Sequence, residues 1–214
     1  MSDQSRADLA GELAYVRSLA EEGRNAPLVG GVLYVIWGGV VGVSALISYL
    51  HAAGIIGVAS FVGGWTYWLG ALSLGWALTF YFVRRTGLKP GAMTVGNKTA
   101  GAAWLGVGIF LMVFWVSLMV LHDNFSEYGI KPYVLFSLMF PVAFGVYGIA
   151  FFATAAAAQL NWMRGFAIAA WIFSVASLYY FGDVRQPLIG ALGSFCCALL
   201  PGLILMRQEP SDTV

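Results

Sequence analysis

Charge is what this sequence lacks most. Residues 25–83 contain no Asp, Glu, Lys or Arg, and charged residues make up only 10% of the 214-residue chain. Soluble domains carry about 25% charged residues, so this composition excludes a water-soluble fold. A helix of about 20 apolar residues spans the hydrocarbon core of a bilayer, so residues 25–83 hold two spans and a turn. The chain is therefore predicted to be a polytopic membrane protein.

Charged side chains are also missing from the interior of every predicted span. The uncharged runs predict an all-α transmembrane bundle of about six helices: 27–50, 56–83, 99–121, 133–158, 165–181 and 187–206. The fifth run is the shortest and lies at the lower length limit for a span. Charged residues inside membranes mark proton relays and ion-coupling sites, so their absence argues against a coupled transporter. It also excludes a retinal pigment, which needs a membrane lysine.

Histidine is nearly absent as well, since His51 and His122 are the only two. A three-histidine zinc site cannot be built from two residues. The last three predicted spans offer no histidine for a Ser–His dyad, and the chain has no Walker loop to bind a nucleotide phosphate. The sequence therefore predicts no metal site and a protein that is not an enzyme.

The two histidines still support one cofactor hypothesis. His51 ends the first predicted span and His122 the third, and both spans run in the same direction. The two imidazoles are therefore expected at similar depth, where they suit a b-type haem or a transition metal. A haem- or metal-binding membrane protein is accordingly one alternative.

Cysteine is confined to Cys196 and Cys197, which are adjacent in the sixth predicted span. Neighbouring cysteines do not readily form an unstrained disulfide, and no CxxC spacing is present. Both are predicted to be small apolar packing residues.

The N-terminal segment 1–26 is charged and lacks the apolar core of a signal peptide. A stripe at helical spacing predicts a short amphipathic cytoplasmic helix over residues 3–23, ended by Gly23 and followed by a span that starts at Pro27. The stripe consists of Leu9, Leu13, Val16 and Ala20. The predicted organisation is this juxtamembrane helix (1–26), a six-helix membrane domain (27–206) and a cytoplasmic tail (207–214).

Lys and Arg are unevenly distributed between the two sides of the predicted bundle. With both termini inside, the inner segments hold nine of these residues and the outer loops hold Lys131 and Arg185. The positive-inside rule then predicts a multi-pass protein of the bacterial plasma (inner) membrane with both termini cytoplasmic. The loop from Arg84 to Lys98 carries four cations and no anion, which suits lipid phosphates or an acidic partner, or reflects the positive-inside rule alone.

Aromatic residues cluster at the start of the second predicted span. Trp65, Tyr67 and Trp68 are candidates for the wall of a pocket that binds a quinone or a lipidic pigment, with helix packing as the alternative. A transporter or channel for a neutral or lipidic molecule would need a polar cavity at mid-depth. The available lining groups are Ser44, Thr66, Ser73, Ser117, Ser137 and Thr154, with Pro141 as a helix breaker.

Small residues recur at four-residue spacing within the predicted spans. The pairs are Gly38/Gly42, Ala71/Gly75, Ala102/Gly106 and Gly190/Ser194. Such pairs let helices approach closely, either within one bundle or between neighbours. With no catalytic cluster, the sequence favours a non-enzymatic accessory or regulatory component of a membrane assembly. Its expected partners are the lipid bilayer and a membrane protein or further copies of itself, and not nucleic acid.

Overall fold

The structure is a computed structural model that describes residues 11–13, 15, 27–130 and 132–209. Regular secondary structure in these ranges is helical, without a strand, which confirms the predicted all-α bundle. The α-helices are α1 Gly31–Ala52, α2 Trp65–Thr86, α3 Val95–Val120, α4 His122–Glu127, α5 Pro132–Phe136, α6 Met139–Ala157, α7 Met163–Tyr179, α8 Gln186–Ser194 and α9 Leu200–Gln208. A π-helical turn, Phe195–Leu199, joins α8 to α9.

Four helical segments are long and apolar enough to cross a membrane: Gly31–Ala52, Val95–Val120, Val134–Ala157 and Gln186–Gln208. The apolar helix α7 is shorter, with 17 residues, and is about 25 Å long at 1.5 Å per residue. The 22-residue helix α2 is less apolar because it contains Trp, Tyr and Thr and ends with two arginines. These helices make the chain a multi-pass membrane protein.

The start of α1 and the end of α9 lie at the same end of the bundle. The backbone N–H of Gly30 donates to the carboxylate of Glu209 across 2.8 Å. We call this the proximal end, which also includes the α2–α3 loop (87–94) and the α6–α7 turn (158–162). The opposite, distal end includes the connections 53–64, 121–130 and 180–185.

Helix α1 packs along the whole last span, and glycine makes the close approach possible. A Cβ added at Gly31 would lie 2.7 Å from the carbonyl oxygen of Gly202, and one at Gly38 would lie 2.3 Å from the backbone nitrogen of Leu199. At Gly42 it would meet the ring of Phe195 at 2.4 Å. Spacings of seven and four residues place the three glycines on one helix face. This face confirms Gly38/Gly42 as a close-packing pair.

Prolines explain the two irregularities in the spans. Pro141 has no N–H to donate to the carbonyl of Ser137, and the predicted fourth span is interrupted at residues 137–138, between α5 and α6. Pro201 likewise cannot bond to the carbonyl of Cys197. The preceding turn is π-helical, with the N–H of Leu200 bonded to the carbonyl of Phe195. The predicted break near Pro141 is confirmed, whereas the π-helical turn was not predicted.

The distal connection between the first two spans is longer than predicted. The predicted spans 27–50 and 56–83 leave only residues 51–55 between them, but the structure has a 53–64 connection and α2 begins only at Trp65. Gly57, Gly63 and Gly64 lie in this stretch, and Gly63 has a φ of +83°, which a helix cannot contain. The prediction that the second span starts at residue 56 is therefore wrong.

The start of the first span also differs from the prediction. Residues 27–30 are non-helical and α1 begins at Gly31, because Gly30 has a φ of +106° in the left-handed region. Of the predicted N-terminal amphipathic helix, residues 11–13 and 15 are helical. The rest of it lies outside the described residues, as does the tail from residue 210.

The bundle is densest between α6, α7 and the last span. Phe151, Met163, Ala167, Cys197 and Leu205 are fully buried there. Helices α2 and α3 lie at the periphery, since α2 packs mainly on α1 and α3 mainly on α6. Gly75 is the one residue of α2 that is buried. The two peripheral helices therefore present most of their surface outward.

Candidate functional site

A buried carboxylate holds the proximal end of the bundle together. Glu209, with 2% of its side chain exposed, accepts hydrogen bonds from the backbone N–H groups of Gly30 at 2.8 Å and Gly31 at 2.5 Å. Its other oxygen forms an ion pair with the ammonium group of Lys89. An anion at a helix N-terminus is stabilised by the unpaired N–H groups and the helix dipole. Glu209 thus connects α1, the α2–α3 loop and α9.

Asn97 makes a second connection at the proximal end. Its side-chain oxygen accepts from the N–H of Val29 at 2.8 Å, and its amide nitrogen donates to the carbonyls of Pro27 at 2.9 Å and Gly91 at 3.0 Å. Asn97 also lies in the first turn of α3, where Thr94 is the N-cap. This one buried amide therefore fixes the non-helical segment 27–30 against the α2–α3 loop.

Gln186 connects segments at the distal end as Asn97 does at the proximal end, and its side chain is buried. Its amide nitrogen donates to the carbonyls of Ser137 at 2.8 Å and Ser177 at 2.9 Å. The carbonyl of Ser137 is the one that Pro141 leaves without a helical donor. Gln186 thus supplies a donor at the helix break after α5 and joins this break to α7 and α8.

An exposed ion pair lies in the distal α7–α8 connection. The guanidinium of Arg185 bonds both carboxylate oxygens of Asp183, at 2.9 and 3.0 Å, and stacks over the ring of Tyr180. The hydrogen bonds from Arg185 lower the pKa of Asp183 from 3.8 to about 2.

The α6–α7 turn forms a small polar pocket of about 320 Å³ at the proximal end. Gln159, Asn161 and Arg164 line it over Ala155 and Ala156. Beyond Arg164, a shallow apolar groove of about 630 Å³ follows α7 from Ile168 to Tyr180.

The aromatic residues predicted as a pocket wall lie in different surroundings. Trp65 is 54% exposed, whereas the hydroxyl of Tyr67 donates to the carbonyl of Ser44 at 3.1 Å. Trp68 contacts the ring of Phe140 edge-on, with the centroids 5.9 Å apart. Tyr67 and Trp68 thus pack α2 against α1 and α6, and ligand binding at these residues remains a prediction.

The haem hypothesis for the two histidines also remains a prediction. His51 lies in the last turn of α1, and His122 begins α4 two residues after the end of α3, so both backbones are at the distal end. The side chain of His122 is outside what the structure describes. In the described ranges, no three His, Cys, Asp or Glu side chains group closely enough to hold a metal ion. Cys197 is fully buried in the core, as expected of a packing residue.

Two of the polar groups predicted to line a transport cavity, Ser117 and Thr154, bond to their own helix or to a neighbouring one. The hydroxyl of Ser117 donates to the carbonyl of Val113 at 2.8 Å, one turn earlier. Thr154 accepts from the indole N–H of Trp104 at 3.2 Å. Neither of the two cavities described above reaches Ser44, Ser117 or Thr154, so the contacts seen here support packing and give no support to transport.

The predicted small-residue pairs divide into two groups. Three face the interior: Gly38 meets the backbone of Leu199, Gly75 the ring of Trp37 at 2.9 Å, and Gly190 the ring of Phe140 at 2.4 Å. The fourth pair, Ala102/Gly106 on α3, is exposed, and a Cβ added at Gly106 would meet nothing within 4 Å.

The exposed pair belongs to a continuous outward face of α3, which we call the α3 face. Its residues share one side of the helix at spacings of three and four: Ala102, Leu105, Gly106, Ile109 and Val113. Leu105, Ile109 and Val113 are each more than half exposed. A neighbour could therefore approach the backbone closely at Gly106, with larger apolar side chains on either side.

Sequence reasoning missed the residues that join the ends of the bundle. Lys89 was considered only as a charge that orients the chain, and Glu209, Asn97 and Gln186 were not singled out. The available signal was their position, since each is a polar residue at the edge of an apolar run. In comparisons with known proteins, no family model, no curated protein and no solved structure matches this chain.

Proposed function

We propose that the protein is a non-enzymatic component of a larger membrane assembly, in an accessory or regulatory role, and that the α3 face binds its partner. The observation that carries the proposal is the pair Ala102/Gly106, in which both residues are exposed and Gly106 has no neighbour within 4 Å. Glycine weakens a helix by about 1 kcal/mol relative to alanine. Facing lipid, it also offers few dispersion contacts, so its usual place in a membrane helix is a close helix–helix contact.

The position of α3 in the bundle supports the same proposal. The helix packs mainly on α6, and only 11% of its most apolar 18-residue window is buried. The other predicted small-residue pairs are used inside the bundle, which leaves Ala102/Gly106 for an external contact. The proposed partner is a transmembrane helix of another protein.

The proposed location is the bacterial plasma membrane, with the proximal end in the cytoplasm. The contact between Glu209 and Gly30 supports an arrangement with both ends of the membrane domain on one side. Arg84, Lys89, Lys98 and Arg164 lie on that side as well, and an excess of such residues is typical of cytoplasmic segments.

Site-specific photocrosslinking in native membranes tests the interaction surface. A photoreactive residue at Ile109, on the α3 face, is expected to crosslink to another membrane protein. The matched control is Ile172 on α7, which is similarly exposed, at 62% against 53%. Crosslinks to protein at neither position, or equally at both, would contradict the proposal.

A further inference from the structure

We propose that the α6–α7 turn and the outer face of α7 together bind one phospholipid, with its phosphate group at Arg164 and an acyl chain along α7. The proposal is independent of the α3 face. It rests on a polar pocket that continues into an apolar groove along one helix.

The phosphate end of this site carries an available positive charge. The part of the chain that the structure describes contains two ion pairs, Lys89–Glu209 and Arg185–Asp183, and Arg164 is in neither. No Asp or Glu occurs in residues 128–182, so the pocket and both helices around it lack a carboxylate. A guanidinium binds a phosphate through two parallel hydrogen bonds. Arg164 therefore suits an anionic headgroup better than one with an ammonium group.

Two side-chain amides add hydrogen-bond donors beside Arg164. Gln159 and Asn161 line the same pocket, and neither amide group is bonded to another described residue. Gln159 has a φ of +53°, and no other non-glycine residue in the described ranges has a positive φ. This left-handed conformation ends α6, where the N–H of Leu160 bonds to the carbonyl of Ala155. The turn thus keeps an amide at the pocket where glycine would relax the backbone.

The apolar groove starts one helical turn from Arg164, on the same side of α7. Ile168, Ile172, Val175 and Tyr179 follow Arg164 at intervals of 4, 8, 11 and 15 residues, which is one helix face. The groove from Ile168 to Tyr180 is about 18 Å long at 1.5 Å per residue, a length that suits an acyl chain.

Aromatic rings connect the two parts of the site. The guanidinium of Arg164 lies over the ring of Phe152, 5.8 Å from its centroid, and Phe152 stacks on Trp171 at 6.2 Å. Trp171 in turn lines the groove. The surface is therefore continuous from the charged pocket to the apolar groove. A free phosphate ion would use only the pocket, so the groove favours a lipid.

Native mass spectrometry of the full chain in mild detergent tests the proposal, with phosphatidylglycerol, phosphatidylcholine and inorganic phosphate added separately. Wild-type protein is expected to retain one phosphatidylglycerol in preference to phosphatidylcholine. Arg164→Gln is expected to weaken phosphatidylglycerol binding about tenfold, which corresponds to about 1.4 kcal/mol. The matched control is Arg207→Gln, an exposed arginine at the same end of the bundle, and it should bind as wild type does.

A second variant separates the two sources of phosphate. Ile172→Ser, in the groove, is expected to weaken phosphatidylglycerol binding without any change at Arg164. Equal lipid binding by Arg164→Gln and Arg207→Gln would overturn the site. If inorganic phosphate displaced the lipid at equal concentration, or if Ile172→Ser bound lipid as wild type does, the pocket would be a free-anion site and the lipid proposal would be wrong.

Discussion

The carboxylate of Glu209 accepts a hydrogen bond from the backbone N–H of Gly30, 179 positions earlier in the chain, across 2.8 Å. This contact closes the bundle at its proximal end. It places the N-terminus of α1 and the end of α9 around one buried anion, which Lys89 neutralises.

Replacement of Glu209 by glutamine is expected to lower the free energy of unfolding by about 1.5–3 kcal/mol, the range for a hydrogen bond to a charged group. The amide can still accept from Gly30, but the ion pair with Lys89 is lost. The measurement is unfolding in mixed detergent micelles. Asp183→Asn, which disrupts an exposed ion pair, serves as the control and should have little effect. Similar stability of Glu209→Gln and wild type would show that the ion pair does not hold the end together.

Gly38 and Gly39 form a matched pair for testing the contact between α1 and the last span. A Cβ at Gly38 would lie 2.3 Å from the backbone nitrogen of Leu199, whereas one at Gly39 would meet nothing within 4 Å. Gly38→Ala is therefore expected to destabilise the protein by about 1–3 kcal/mol through overpacking. Gly39→Ala should be neutral, or stabilising by up to about 1 kcal/mol through helix propensity. Equal effects of the two substitutions on unfolding would contradict the observed packing.

Asn97→Ala is expected to destabilise the protein by about 2 kcal/mol, because the half-buried N–H of Val29 and carbonyl of Pro27 lose their partner. The change should be local to the proximal end. Hydrogen exchange of the α2–α3 loop measures it, with the distal 53–64 connection as an internal control. Equal acceleration at both ends would indicate general unfolding and contradict the local role.

The helices were predictable from the sequence, but the contacts between their ends were not. A run without charges directly reflects the length of a span, and so α3 and the last span were located to within a few residues. The start of α2 was predicted too early, because an uncharged run does not distinguish helical residues from turn residues. Gly57, Gly63 and Gly64 lie in the 53–64 connection, and α2 begins after them. Glu209 and Gly30 are too far apart in the chain for any local pattern to pair them. The proposed lipid site was missed because only the folded helices bring Gln159 and Arg164 to one pocket beside the groove on α7.

The pH response of the distal ion pair follows from its pKa shift. The pKa of Asp183 is about 2, below the ordinary 3.8, because Arg185 bonds to its ionised form. The contribution of this pair is therefore present above pH 3.8 and is lost as the pH falls through about 2. In Arg185→Gln the pKa of Asp183 should rise towards 3.8, which carbon NMR of the labelled carboxyl group measures. Arg207→Gln should leave it unchanged, and a low pKa in Arg185→Gln would contradict the assignment.

The central claim is that the α3 face joins this protein to a larger membrane assembly. Its most direct test is a quantitative mass-spectrometric inventory of the proteins that co-purify with the tagged chain from its own membranes in mild detergent. Wild type should be compared with Gly106→Ile and with Gly165→Ile, an exposed glycine on α7 that also has no neighbour within 4 Å. A stoichiometric membrane protein recovered with wild type and Gly165→Ile, but lost from Gly106→Ile, is the predicted result. Recovery of all three proteins alone, or with the same partner, would contradict the claim.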